Sequence, residues 1–195
     1  LVKVWDAAGN LQATLMAKHT TNKDEQMTVN ADLSPDGQWI ITTAQSVTSY
    51  GPIQLWSADG KLQKTLMPKV MGSKENAVSG SVQFNHLDPT ADHPENLGKT
   101  DNIIATTKIT DRTHGPVQLW DTQGHELATL QSQIALPQKA SIDDFISGDL
   151  VLSNNGATAV STVYSQKSYG PVNLWSRETG QVHTLLQKQI GRAHV

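Results

Sequence analysis

The sequence predicts an all-β chain assembled from repeated four-stranded antiparallel sheets, and three observations carry that expectation. A seven-residue outline is written three times, as YGPIQLW at Tyr50–Trp56, HGPVQLW at His114–Trp120 and YGPVNLW at Tyr169–Trp175, with a shorter echo, VKVW, at Val2–Trp5. The four tryptophans Trp5, Trp56, Trp120 and Trp175 stand 51, 64 and 55 residues apart, a spacing that marks a repeat architecture. Around each lie short apolar runs rich in Val, Ile, Leu, Thr and Trp, bounded by Gly, Pro, Asn and Asp and without the i, i+3, i+4 spacing of a helix.

Each run has a place in the repeat. Downstream of the tryptophans the units read WDAAGNLQATL, WSADGKLQKTL, WDTQGHELATL and WSRETGQVHTLL, each with a Gly shortly after the Trp and then a Thr-Leu pair. Upstream, QWIITT (38–43), NIIATT (102–107) and ATAVST (157–162) match one another, and LSPDG (33–37) and LSNNG (152–156) precede two of them. The unit is therefore strand, turn, strand, loop, strand, turn, strand. SPDG, SNNG, SADG and DTQG supply hairpin connections, because Gly takes the positive φ that such turns need and Asp or Asn tolerates the adjoining position. In IQLWS, Ile53 and Leu55 face one side while Gln54 and Trp56 face the other, so both faces of the sheet carry apolar groups and both want a covering layer. Sheets of four strands stacked unit on unit describe propeller blades.

With VKVWD, LSPDGQWIITT, IQLWS, VQLWD and VNLWS in place, each Trp-containing segment followed by its Thr-Leu, the chain resembles the WD-repeat β-propeller family over nearly all of residues 1–189. The resemblance implies a partial β-propeller: about three and a half four-stranded antiparallel blades in an open arc, at approximately 1–16, 28–67, 80–130 and 148–186. In the family's strand order a to d, strands are expected near 2–6 and 11–16; near 28–33, 38–43, 52–57 and 62–67; near 80–85, 102–107, 116–121 and 126–130; and near 148–153, 157–163, 171–176 and 181–186. Residues 190–195, IGRAHV, match a translated sequencing adapter and are set apart from the fold, and missing blades of a longer chain are expected to complete the propeller. A family blade has a Gly-His pair before strand a and an Asp between b and c, joined to a strand-b Ser or Thr and to the Trp in a polar tetrad. Here Thr43, Thr107 and Thr162, or their neighbours, are placed to serve Trp56, Trp120 and Trp175. The Gly-His is missing, His19 being its nearest approach, and Tyr50, His114 and Tyr169 stand where the Asp is expected.

The recurring phrase marks the start of a third strand. Gly51, Gly115 and Gly170 permit a bend, and Pro52, Pro116 and Pro171 fix φ where no ladder donor is required. Before each Gly-Pro lies an eight-residue segment, AQSVTSYG, KITDRTHG or VYSQKSYG, read as a loop that ends in an aromatic or imidazole ring. Together with long d–a connections near 17–27, 67–79 and 131–147, these loops elaborate one face, where binding on a rigid scaffold tends to reside. Tyr50, Arg112, His114 and Tyr169 are the candidate contacts for a peptide or protein; the competing reading is that the rings cap the loops and pack on the prolines.

Other chemistry is weakly represented. Lys and Arg number 15 against 18 Asp and Glu, giving a net charge of −3, and the basic residues are scattered, so nucleic acid is not an expected partner. There is no cysteine, which removes disulfide and thiolate chemistry without fixing the compartment. Apolar runs are too short for a membrane helix, and no membrane partner is expected. His86, Asp88, Asp92, His93 and Glu95 cluster in the insertion at 85–101 with neither zinc nor calcium-loop spacing, and the adjacent Asp143 and Asp144 diverge, so no metal, cofactor or catalytic group is assigned. The expectation is a noncatalytic protein- or peptide-binding scaffold module of WD-repeat type, acting through the face with the b–c and d–a loops. The alternative is an enzymatic or carbohydrate-binding propeller whose site on the central channel needs the missing blades, since one fold hosts both.

Overall fold

The computed structural model describes residues 1–15, 28–46, 48–72, 78–85, 102–110, 113–131, 134–135, 147–153, 155–164, 168–186 and 189–190. Within them the chain is all-β, without helix, and folds as four antiparallel sheets. The first pairs β1 (Val2–Trp5) with β2 (Leu11–Leu15). The second holds β3 (Thr28–Leu33), β4 (Trp39–Ser46), β5 (Ser49–Tyr50), β6 (Ile53–Ser57), β7 (Leu62–Met67) and β8 (Val70–Met71). In the third are β9 (Val78–Phe84), β10 (Ile104–Thr110), β11 (Thr113–Trp120), β12 (Glu126–Gln131) and β13 (Ile134–Ala135). The fourth contains β14 (Ser147–Leu152), β15 (Thr158–Tyr164), β16 (Ser168–Ser176), β17 (Val182–Leu186) and β18 (Gln189–Ile190).

Each complete sheet is a four-strand meander, β3-β4-β6-β7, β9-β10-β11-β12 or β14-β15-β16-β17. The turns explain why neighbours pair in sequence order. At the third-to-fourth-strand turns, Gly9, Gly60 and Gly124 donate their amides back to Asp6, Ser57 and Asp121 carbonyls, at 2.9–3.1 Å. At the first turn of two sheets, Ser34 and Ser153 play one role: their hydroxyls accept from the amides of Trp39 and Thr158 and donate to Asp36 and Asn155. In the third sheet Asn85 closes the same position across the insertion, its side-chain oxygen accepting from Ile103 N at 2.8 Å.

Strand parity sets the packing. Residues directly opposite across a ladder share a face, so Ile40 and Trp56 lie on one side of the second sheet, and Ile41 with Leu55 on the other. The Trp56 face packs with Val2, Val4, Ala13 and Leu15 of the first sheet. The opposite face, with Ile41, Ile53 and Leu55 all fully buried, packs with Phe84, Ile104 and Trp120 of the third. The third sheet's Ala105, Val117 and Leu119 then meet Leu150, Leu152, Ala159 and Trp175 of the fourth. Each sheet after the first thus places its Trp-bearing face on the aliphatic face of the one before it. Each fully buried Leu or Ile in these layers contributes about 1.5–3 kcal/mol.

The expected strands are present to within a few residues, with one systematic difference. The second strand of each of the three larger sheets continues past its expected end, to Ser46, Thr110 and Tyr164, and the third begins earlier in two of them, at Thr113 and Ser168. The described residues of the segments read as eight-residue loops lie in paired strands. Ile190, set apart with the adapter-like tail, pairs with Ser168 in β18, while 191–195 lie outside the described residues.

Candidate functional site

The repeated Gly-Pro marks a bulge beyond which each sheet continues. Gly51 and Gly115 take φ of +83° and +95°, the region open to glycine, and both following prolines are joined by cis bonds. Gly51 donates its amide to the Ala44 carbonyl at 2.8 Å, which carries the bend between β4 and β6. Past the bend a small three-stranded end forms in each of the three larger sheets. Tyr50 pairs with Gln45 and Val70, His114 with Ile109 and Ile134, and Tyr169 with Tyr164 and Gln189. The partners stand five residues before and twenty after in all three. The extra strands β8 and β13 come from segments expected to be d–a loop. Polar, small residues such as Ser46 and Ser49, whose hydroxyls meet at 2.9 Å, gave no alternation by which to read a strand.

The candidate contacts divide. Tyr50 is fully buried, so it offers no surface to a partner, and its ring lies against Gly80 of β9 in the next sheet. A Cβ on Gly80 would fall 2.6 Å from Tyr50 Cζ and 2.2 Å from the Thr107 carbonyl oxygen. For this ring the packing alternative holds, though the partner is the next sheet rather than the proline. Burial pushes the Tyr50 phenol well above its ordinary value; the neighbouring Thr43 hydroxyl pulls the other way without reaching hydrogen-bond geometry. Arg112 lies outside the described residues, as do the cluster at His86, Asp88, Asp92, His93 and Glu95 and the pair Asp143 and Asp144. For His114 and Tyr169 the described part is the strand backbone, which puts both at the sheet end equivalent to that of Tyr50.

The polar groups that serve the tryptophans are the neighbours of those first named. Trp56 Nε1 donates to Thr42 Oγ1 at 2.9 Å, Trp120 Nε1 to Thr106 Oγ1 at 2.9 Å and Trp175 Nε1 to Ser161 Oγ at 2.8 Å, each fourteen residues apart. Parity is the reason: Thr42 is two residues past Ile40, which sits opposite Trp56, whereas Thr43 faces away. The hydroxyls of Thr43, Thr107 and Thr162 are enclosed without a hydrogen-bond partner.

Two further polar links were not legible in the sequence. Asp32 Oδ2 accepts from Phe84 N at 2.8 Å, tying the aliphatic face of the second sheet to the first strand of the third. Asp36 Oδ2 accepts from Asn102 Nδ2 at 2.6 Å. Desolvation acts to raise the Asp36 carboxyl, but hydrogen bonds from Ser34, Gln38 and Asn102 outweigh it and hold the group below 3.8. No family model and no curated protein matches the chain.

Proposed function

We propose that the chain is an arc of about three and a half WD-type propeller blades, completed by further blades, that serves as a noncatalytic scaffold binding a protein or peptide. The fold half of this reading is supported by the meander order and by the Trp-to-hydroxyl bond made three times at one spacing. The binding half is carried by one observation: three hairpin ends, each built in the same register beyond Gly-Pro, recur at the same end of three stacked sheets. Such an array offers spaced, rigid positions for side chains, while the sheets beneath hold them. Tyr50 belongs to the scaffold, and Arg112, His114 and Tyr169 are the contacts to test.

A photo-crosslinking residue in place of His114, compared with one in place of Gln123 in the third-to-fourth-strand turn at the other end of the sheet, tests the assignment in cells of the source organism. The expected result is a discrete adduct from position 114 that is absent from position 123 and weakened by Arg112→Ala and Tyr169→Ala. Adducts from position 123 alone would contradict it.

A further inference from the structure

Asn155 and Gly156 form the only Asn-Gly pair in the chain, and they lie in the turn that joins the first two strands of the fourth sheet. Asparagine before glycine has a built-in reaction. The glycine amide nitrogen attacks the asparagine Cγ, the new C–N bond closes a succinimide ring, and the side-chain nitrogen leaves as ammonia with the proton that the amide gives up. Water then opens the ring at either carbonyl, to aspartate or to isoaspartate, whose main chain runs through the side-chain carbonyl and is one methylene longer. Glycine permits the closure because it brings no Cβ to obstruct the attack.

The turn holds both reacting groups away from each other. The Gly156 N–H donates to the Ser153 carbonyl at 2.8 Å, so the nucleophile is engaged. Asn155 Oδ1 accepts from Ser153 Oγ at 2.9 Å and from Ala157 N at 3.0 Å, which fixes the carboxamide. Asn155 is exposed, but Gly156 is buried, and a Cβ on it would overlap the side chain of Ile103 from the third sheet. The turn is seated on the neighbouring sheet and opens only by leaving it.

We propose that Asn155 is a self-deamidation site that the folded turn keeps unreactive and that detachment of the turn from Ile103 exposes, so that the chain carries a chemical record of its own unfolding. The two products act differently on the fold. Aspartate fits, because Asp36 in the equivalent turn of the second sheet accepts from Ser34 Oγ at 2.6 Å and from Gln38 N at 2.9 Å, while Gly37 N donates to the Ser34 carbonyl at 2.9 Å. Isoaspartate does not fit. Its extra methylene falls between Ser153 and Thr158, which are joined by bonds from Ser153 N to the Thr158 carbonyl at 2.8 Å and from Thr158 N to Ser153 Oγ at 2.9 Å, and it shifts Gly156 off Ile103. Unfolding followed by isoaspartate formation therefore bars the return of the fourth sheet to its place. The inference rests on this turn and is independent of the hairpin-end binding surface proposed above.

The test holds the purified chain in mildly alkaline buffer with and without guanidinium chloride, follows conversion at residue 155 by peptide mass spectrometry and counts isoaspartate by enzymatic methyl labelling. Conversion in buffer should be slower by about tenfold or more than in denaturant, because only the rare open turn reacts. Ser153→Ala removes a donor to Asn155 and an acceptor for Thr158, so it should speed conversion in buffer and leave the rate in denaturant unchanged. On return to buffer, the Asn155→Asp chain should recover the wild-type melt and the isoaspartate fraction should not. Equal wild-type rates with and without denaturant, a Ser153→Ala rate in buffer no faster than that of the parent, or an isoaspartate fraction that regains the wild-type melt would each overturn the proposal.

Discussion

The Tyr50 ring closes on Gly80 of the next sheet, leaving no room for a β-carbon between them. A residue that looked like a surface contact is thereby a wedge between sheets. Its placement also ties the end of the β4–β5 hairpin to the inter-sheet core, since Ile41, Ile53 and Val78 belong to the same buried cluster.

Gly80→Ala tests the wedge. The added methyl meets the backbone carbonyl of Thr107 as well as the ring, so neither can simply rotate away. Overpacking of this kind costs about 1–3 kcal/mol, read as a lower urea midpoint at unchanged slope. A variant as stable as the parent would show that the sheets do not meet there.

Tyr50→Phe removes an enclosed hydroxyl that has no hydrogen-bond partner, so its expected effect at neutral pH is small or stabilising. Burial raises the phenol's folded value above its ordinary 10.0, so the neutral form is the one the fold favours. That contribution is complete below about pH 10 and is lost as pH rises further, because the unfolded chain releases the proton first. Urea titrations at successive alkaline pH values should show stability falling more steeply in the parent than in Tyr50→Phe. Equal slopes would place the ring in water.

The indole-to-hydroxyl bonds are open to a double-mutant cycle. Trp56→Phe strands the buried Thr42 hydroxyl, and Thr42→Val strands the indole, each at about 1–3 kcal/mol from the lost bond alone. The pair together should cost less than the sum of the two, and the same coupling should recur for Trp175 with Ser161. Strict additivity would deny the contact.

Asp36 predicts an acid-side effect. Hydrogen bonds depress its carboxyl, so the stability it lends is present above about pH 4 and is lost as pH falls through the folded value. Asn155 occupies the same place in the fourth sheet and makes the same turn bonds without titrating. Asp36→Asn should therefore keep the turn at neutral pH and flatten the loss of stability on acidification, measured by thermal melts from pH 6 to pH 2.

What could be read beforehand was whatever rested on periodicity. The alternation around Trp56 fixed which side Ile53 and Leu55 face, and Gly60 and Gly124 marked turns that are formed as expected. Register-level detail was less accessible: choosing Thr42 over Thr43 needs the cross-strand pairing of Ile40 with Trp56, which a single strand does not display. Long-range contacts were out of reach. Nothing in SVTSYG signals that Tyr50 will meet a glycine from another sheet, and nothing near Asp32 signals an amide at Phe84.

The central claim is that each sheet after the first buries its tryptophan-bearing face on the sheet before it. Solvent exchange of the indole N–H protons, followed by NMR, tests this most directly. The account predicts strong protection for Trp56, Trp120 and Trp175, whose indoles donate to buried hydroxyls, and rapid exchange for Trp5. Exchange of those three as fast as that of Trp5 would contradict it.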